Sequence, residues 1–204
     1  ISNINLIDTA EVVAISDTNE NSINDARNIL TNDFKIYSDN NEIFKDNEVD
    51  AFIISTPNFT HYEIIKEALK TKKHLLIEKP LCTKLEDCIE IKKLSASYPS
   101  VIWVAMEYRY MPPVQKMIQE ISSDKIGNLK MLSIREHRFP FLKKVNDWNR
   151  FQINTGGTLV EKCCHFFDLM RLITNSEVTQ VYASGDQSVN HLNESYNGKV
   201  PDIL

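Results

Sequence analysis

The sequence has few glycines, no basic stripe and no long apolar run. Only five of the 204 residues are glycine, and none lies in a G-x-G-x-x-G fingerprint. The 23 basic and 28 acidic residues are interspersed and give a formal net charge of -5, so the footprint that binds a nucleic-acid backbone is missing. The longest apolar runs, such as residues 12–15, have the length of a strand and cannot span a bilayer. These absences argue against a nucleic-acid-binding or membrane-spanning protein.

The four cysteines form no metal-binding or redox motif. Cys82, Cys88, Cys163 and Cys164 show no C-x-x-C spacing. The simplest interpretation is that they are small apolar side chains in a reducing compartment. We therefore expect no metal site and a cytoplasmic location. The chain begins with Ile rather than Met, so a preceding targeting segment stays an open alternative.

Apolar runs and helical patterns alternate along the first half of the chain. We predict strands at residues 11–17, 50–55, 74–78 and 101–105, and helices at 18–31, 62–71 and 83–98. Thr60 with Glu63, and Thr83 with Glu86, have the spacing of capping boxes at two of the helix starts. Such alternation with short links is typical of βαβ units, and ligands bind at the carboxyl edge of the resulting parallel sheet.

The pattern changes after Pro112 and Pro113. Helices are predicted at residues 114–121 and from 157 or 158 to 173, and strands at 129–139 and 178–184. The predicted fold class is α/β, with a Rossmann-type parallel sheet followed by an α/β domain with a mixed open sheet. We place the domains at residues 1–110 and 111–204.

Polar residues follow the predicted strands at the ligand edge. Asp17 can accept hydrogen bonds from an adenosine ribose, which favours NAD over NADP, or it can simply cap a helix. Ser55, Thr56, Pro57 and Asn58, with His61 beyond them, open a helix whose amino end suits polar ligand atoms. Many βα loops share that pattern, so His61 can equally be a surface residue.

Glu78, Lys79 and Pro80 form a sharper motif. A lysine at the end of a central strand can stabilise an alkoxide while a hydride leaves, although an ordinary strand-end lysine is the competing interpretation. In the second domain, Glu161 and His165 are four residues apart and would share one face of a helix. A histidine with a carboxylate neighbour suits general base chemistry, and an exposed polar pair is the alternative.

Taken in order, these motifs resemble the Gfo/Idh/MocA oxidoreductase family, typified by glucose–fructose oxidoreductase and inositol 2-dehydrogenase. The resemblance covers nearly the whole chain. It depends most on the E-K-P motif at residues 78–80 and on the Gly156-Gly157…Glu161…His165…Asp168 pattern, with the stretch from Glu107 to Pro112 in support. The chain departs from the family in the missing glycine loop and in Glu161, where aspartate is commoner. The missing glycine loop, and the absence of roughly the last third of a family member, lead us to expect a segment truncated at both ends.

The resemblance implies specific roles for individual residues. Lys79 would be the catalytic lysine, His165 the acid or base, and Glu161 the carboxylate that contacts substrate or orients the histidine. The cofactor-binding set would be Asp17, Ser55, Thr56, Pro57, Asn58, His61, Glu78, Lys79 and Arg109. The family's open sheet often mediates oligomerisation, so a homo-oligomer is expected of the full-length protein.

The sequence therefore predicts an NAD-dependent dehydrogenase that acts on a sugar, cyclitol or similar polyol. An NAD-binding sensor without turnover, and a family member that recycles NAD in a net non-redox reaction, stay as alternatives. Arg135, Arg138 and Arg150 lie in a loop that could form the far wall of the substrate pocket and bind an anionic group. Loop charges that face solvent explain them equally well.

Overall fold

The computed structural model describes residues 2–123, 125–137, 139–187 and 190–202. Its first half contains two parallel sheets. β1 (Ala14–Ser16) pairs with β2 (Lys35–Tyr37), and β3 (Ala51–Ile54), β4 (His74–Ile77) and β5 (Ile102–Val104) form the second sheet in that order. The helices between them are α1 (Glu20–Ile29), α2 (Asn40–Ile43), α3 (His61–Leu69) and α4 (Leu85–Leu94).

The four predicted strands and three predicted helices of this half are confirmed, each with shorter bounds than the apolar pattern suggested. β2 and α2 were missed, because three and four residues are too few to establish a period. Both predicted capping boxes are wrong, since neither α3 nor α4 has a side-chain cap. The hydroxyl of Thr60 instead donates to Pro57 O at 2.7 Å and lies 2.8 Å from the hydroxyl of Thr56.

The main core lies between the second sheet and its helices. Phe52 and Ile54 of β3 and Leu75 and Ile77 of β4 are buried together with side chains of α3 and α4. Ile53 points away from this core and is 54% exposed, so β3 is buried on one face only. The core holds the carboxyl ends of β3 and β4 side by side, and these ends carry Ser55 and Glu78.

The second half of the chain has four α-helices among its described residues, with irregular segments between them. It contains α5 (Pro112–Ser122), α6 (Gln152–Thr155), α7 (Thr158–Glu161) and α8 (Cys164–Thr174). Short 3₁₀ segments lie at Ser2–Leu6, Asn58–Thr60, Glu107–Tyr110 and Val145–Arg150. Among all the described residues, no helix is both long and apolar enough to cross a membrane.

Three predictions for the second half are wrong. Residues 129–137 and 178–184 form no strand, since no other described segment pairs with them, and an extended segment needs a hydrogen-bonded neighbour to become one. Arg138, inside the first of these predictions, lies outside the described residues. The single helix predicted to end at residue 173 is two helices, because Lys162, with φ of −115°, departs from helical geometry between α7 and α8.

Candidate functional site

Lys79 joins the two halves of the chain. It is the second residue after β4, and its Nζ donates a hydrogen bond of 3.0 Å to the carbonyl oxygen of Glu161. The same Nζ lies 3.6 Å from the Glu161 carboxylate, at Oε1. The side chains of Lys79 and Glu161 are only 19% and 12% exposed, so solvent screens this ion pair weakly. The predicted lysine and the predicted carboxylate therefore meet.

Asn58 holds the second oxygen of the same carboxylate. Its Nδ2 donates to Oε2 of Glu161, and both residues are buried. Glu161 therefore has an ammonium at one oxygen and an amide at the other, which fixes the plane of the carboxylate. Asn58 was predicted to bind cofactor, but its side-chain amide instead orients Glu161.

Two glycines allow α7 to approach the loop after β4. Gly156 has φ of +82° and Gly157 has φ of +83°, values that residues with a Cβ rarely adopt. A Cβ built on Gly156 would lie 2.9 Å from the side chain of Val160 and 3.0 Å from Thr83 O. A side chain there would push the amino end of α7 away from the loop, and Glu161 is the last residue of that helix.

His165 is almost completely buried and lies against Tyr108. The two rings are stacked, with centroids 4.3 Å apart and planes 7° apart. The Nε2 atom of His165 lies 3.3 Å from Oε1 of Glu107, while Nδ1 is buried without a hydrogen-bond partner among the described residues. The i,i+4 spacing had predicted Glu161 as the carboxylate neighbour of the histidine, but that neighbour is Glu107. The reason is that the chain leaves helical geometry at Lys162.

The surroundings of His165 keep its imidazole neutral. Burial, together with the nearby ammonium groups of Lys79 and Lys162, lowers its pKa from 6.5 to about 4. Asp168 and Glu136 act in the opposite direction but do not compensate. At neutral pH the ring can therefore accept a proton without first losing one.

Three successive residues of the Glu107–Tyr110 segment contact α8. Glu107 and Tyr108 both contact His165, and Arg109 binds Asp168 through two parallel hydrogen bonds, with Nε to Oδ2 at 2.5 Å. This ion pair raises the pKa of Arg109. Arg109 was predicted to lie beside the cofactor, but its guanidinium anchors the segment that carries Tyr108.

His61 connects the loops that follow β3 and β4. Its ring is fully buried, with Nδ1 2.9 Å from Pro80 O and Nε2 2.9 Å from Thr56 O. Both partners are acceptors, so both contacts are hydrogen bonds only when both ring nitrogens carry hydrogen. The side chain of His61 therefore sets the spacing of the loops beside Lys79, and its role in cofactor binding stays a prediction.

The remaining predicted cofactor residues lie at strand ends. Asp17 follows β1, and among the described residues its carboxylate accepts only one hydrogen bond, from the amide of Asn19 at 2.8 Å. The other oxygen stays available to a ribose hydroxyl, so this end of the strand fits an adenosine ribose. Ser55 and Glu78 are exposed. Thr56 and Pro57, which precede the buried Asn58 in the same loop, are half-buried.

The loop predicted as the far wall of the pocket is only partly suited to that role. Arg150 is buried and its Nε donates to Oε2 of Glu194 at 2.9 Å, so its guanidinium does not face a substrate. Arg135 is exposed. Within the described part of the chain, no group of three or more His, Cys, Asp or Glu is arranged to hold a metal ion.

Two surface depressions lie away from this chemistry. One, of about 280 Å³, is lined by Arg109, Asp168, Arg171, Leu172, Asn175, Ser176 and Glu177. The other, of about 410 Å³, is lined by residues 128–132, Ile173, Thr174 and Ser176. We base the candidate site on the convergence of Lys79, Glu161 and His165 rather than on these depressions, because in the first of them both arginines are already paired with carboxylates.

Single motifs did not identify Glu107, Tyr108 and Lys162 as neighbours of His165. Glu107 and Tyr108 follow the last strand of the sheet, at the edge where ligand-binding residues collect, and this was the available signal. Lys162 gives no such signal, because it lies between two predicted site residues and would point elsewhere on a continuous helix.

Comparisons with known proteins match both halves of the chain. Residues 1–106 match a family model described as the Gfo/Idh/MocA oxidoreductase family, NAD-binding Rossmann fold, and residues 118–201 match the C-terminal alpha/beta domain of the same family. The predicted domain division lies in the interval between these two matches.

Relatives and solved structures agree with these matches. The chain is 30% identical over 93% of its length to the uncharacterized oxidoreductase YrbE of Bacillus subtilis, covering 54% of that protein. It is 29% identical over 90% of its length to the myo-inositol 2-dehydrogenase of Thermotoga maritima, covering 53% of that protein. A crystal structure of a probable dehydrogenase from Thermotoga maritima superposes with a TM-score of 0.72 at 27% identity, over 86% of this chain and 51% of that one. The chain thus spans about half the length of the relatives that it matches.

Proposed function

The chain belongs to the Gfo/Idh/MocA oxidoreductase family, and we propose that the intact protein uses NAD to oxidise a hydroxyl group of a sugar, cyclitol or similar polyol. One observation carries the proposal. Lys79 from the first domain contacts Glu161 of the second, and the positive charge of Lys79 lowers the pKa of His165. Two members of this set of three come from outside the NAD-binding domain, and binding NAD by itself requires neither.

The residues at the strand ends hold the cofactor in this proposal. The free carboxylate oxygen of Asp17 accepts a hydrogen bond from the adenosine ribose, and the negative charge disfavours the 2′-phosphate of NADP. The loop formed by Ser55, Thr56 and Pro57 provides polar atoms at the neighbouring strand end. When bound, NAD supplies the acceptor for a hydride from a carbinol carbon.

Lys79 and Glu161 bind and polarise the substrate hydroxyl. An ammonium group lowers the free energy of an alkoxide-like oxygen, and its effect is larger where water is largely excluded. Glu161 accepts a hydrogen bond from a neighbouring hydroxyl, which favours a substrate with more than one. Asn58 keeps the carboxylate in place while the substrate replaces part of its contact with Lys79.

His165 accepts the hydroxyl proton. Its pKa of about 4 leaves the ring neutral at physiological pH, and a neutral imidazole is the form that can act as a base. Glu107 covers the Nε2 side, and its side chain is 55% exposed. Movement of Glu107 into solvent would make Nε2 accessible to a substrate hydroxyl.

The test compares Lys79→Met with Lys92→Met in the intact protein. Lys79→Met keeps the length of the side chain and removes the ammonium, so turnover on a panel of inositols and sugars should fall about 10²–10³-fold. Binding of NADH, followed by its fluorescence, should change little. Lys92 lies on the exposed surface of α4, and its replacement should leave turnover unchanged.

Two outcomes would contradict the proposal. If Lys79→Met retains wild-type turnover, the lysine does not act on the reacting oxygen. If the unmodified protein binds NAD tightly but reduces none of it with any substrate of the panel, the sensor alternative is favoured.

A further inference from the structure

The flat face of His165 is covered by one aromatic ring. Tyr108 stacks on it at a centroid distance of 4.3 Å, and Phe166 borders Tyr108 at 6.1 Å. Apart from Glu107 at Nε2, His165 has no side-chain hydrogen bond to another described residue. The orientation of its ring therefore depends on where Tyr108 is held.

Lys162 holds Tyr108. Its Nζ donates a hydrogen bond to the Tyr108 hydroxyl, lies 4.5 Å from the centroid of the same ring, and is 3.3 Å from Oε1 of Glu136. The Lys162 side chain is only 12% exposed. Lysine is rarely buried without a partner, and ordering its long side chain costs conformational entropy, so this arrangement is not a default surface position.

We propose that Lys162 is a positioning residue for His165, which acts by fixing the ring of Tyr108 against the imidazole. The proposal rests on the proposed function, because it assigns His165 the task of accepting a proton at a defined orientation. In this arrangement Glu136 neutralises part of the Lys162 charge. The ammonium group fixes the position of the Tyr108 ring, and the stacked Tyr108 ring fixes the orientation of the histidine ring. Lys162 does not touch the substrate.

The same ammonium also acts on the histidine through space. Burial is the largest cause of the lowered pKa of His165, and the charges of Lys79 and Lys162 follow. The carboxylates that raise the pKa of His165 are Asp168, on the same helix as His165, and Glu136, on the loop before α6. Glu107 also faces the ring, at Nε2. Removing the Lys162 charge should therefore raise the pKa of His165 from about 4 toward its ordinary 6.5.

The experiment measures the titration of His165 in the intact protein without substrate or cofactor. The imidazole nitrogens are followed by NMR between pH 3 and 8, roughly the range in which histidines titrate in proteins. Lys162→Met should move the His165 midpoint upward, and Lys162→Arg, which keeps the charge, should leave it close to that of the unmodified protein. Lys116→Met, on the exposed surface of α5, is the matched control and should leave it unchanged.

Turnover provides the second measurement. Lys162→Met should lower kcat about 10-fold with little change in KM, because a misplaced base affects the chemical step more than substrate binding. Tyr108→Phe keeps the stacked ring but removes the hydroxyl that Lys162 binds. The two substitutions should be non-additive, since they break the same contact.

The possible failures are distinguishable. An unchanged His165 midpoint in a folded Lys162→Met protein, or strictly additive effects of Lys162→Met and Tyr108→Phe, would overturn the positioning role. If Lys162→Met does not fold, an unchanged kcat in Tyr108→Phe would overturn it. Absence of turnover in the unmodified protein would contradict the proposed function, whereas the midpoint shift would still report whether Lys162 controls His165.

Discussion

The two halves of the described chain are stabilised by different kinds of contact. Of the thirteen buried apolar residues, twelve precede residue 92, and only Leu169 lies in the second half. The buried polar and charged residues after residue 111 are Asn149, Arg150, Thr155, Glu161, His165 and His191, and Gly157 and Pro201 are buried as well. The first half is held by apolar burial around parallel strands, whereas the second is held by hydrogen bonds and ion pairs.

This difference has a consequence for the candidate site. Glu161 and His165 are held by contacts with residues of the first half or its boundary, namely Asn58, Lys79 and Tyr108. Large apolar side chains such as Met131, at 85% exposure, and Tyr182, at 92%, contribute no core to the second half. The half with the apolar core therefore positions Glu161 and His165 of the second half.

The largest effect should come from the apolar core. Ile77 is fully buried at the carboxyl end of β4, the central strand of the second sheet, and Ile77→Ala removes methyl groups from a packed site and leaves a cavity. The free energy of unfolding of the intact protein should fall by about 2–5 kcal/mol. Urea denaturation measures it, with Ile77→Val as the milder control at about 0.5–1.5 kcal/mol. A loss below that of the Val variant would show that this half does not depend on its core.

A smaller effect should come from the polar cluster of the second half. The Arg150 side chain is 3% exposed and binds Glu194, which also accepts hydrogen bonds from Tyr196 and contacts His191. Arg150→Met should destabilise the segment at residues 190–202 by about 1–3 kcal/mol. Amide hydrogen exchange should detect faster opening there and none in β3 or β4. Uniform loss of protection across both halves would contradict the division.

The same cluster should also respond to pH. The hydrogen bond from Tyr196, followed by those from His191 and Arg150, lowers the pKa of Glu194 from 4.5 to about 2. A carboxylate with a lowered folded pKa contributes stability above its unfolded value and loses it as the pH falls through its folded value. Protection of residues 190–202 should therefore decrease between pH 4.5 and 2, and Arg150→Met should move the decrease to higher pH.

The smallest effect should come from an exposed ion pair. The side chains of Arg171 and Glu177 form hydrogen bonds but are 58% and 75% exposed. Arg171→Met should leave the melting temperature unchanged within error, because solvent and salt screen such pairs. A clear loss of stability would show that exposed charges stabilise the second half as much as the Arg150 cluster does.

The residues of the candidate site could be proposed from the sequence, whereas their contacts could not. Lys79 could be identified because a strand end in a parallel sheet lies at the ligand edge, and His165 because of its spacing from Glu161. Asn58, His61 and Arg109 were predicted to bind cofactor, yet their side chains orient Glu161, hold two loops together and anchor the Tyr108 segment. Residue type and position in a loop do not reveal which way a side chain points.

By itself, the sequence determined four of the five strands of the first half and three of its four α-helices, because apolar periodicity and short links are local properties of the chain. It also determined that Lys79 and His165 carry suitable chemistry. Only the tertiary structure decided that Glu107 rather than Glu161 neighbours His165, that Lys162 reaches Tyr108, and that residues 129–137 form no strand. These three features depend on contacts between residues distant in the chain or on the break between α7 and α8. The spacing of residues along the sequence predicts neither the distant contacts nor the break.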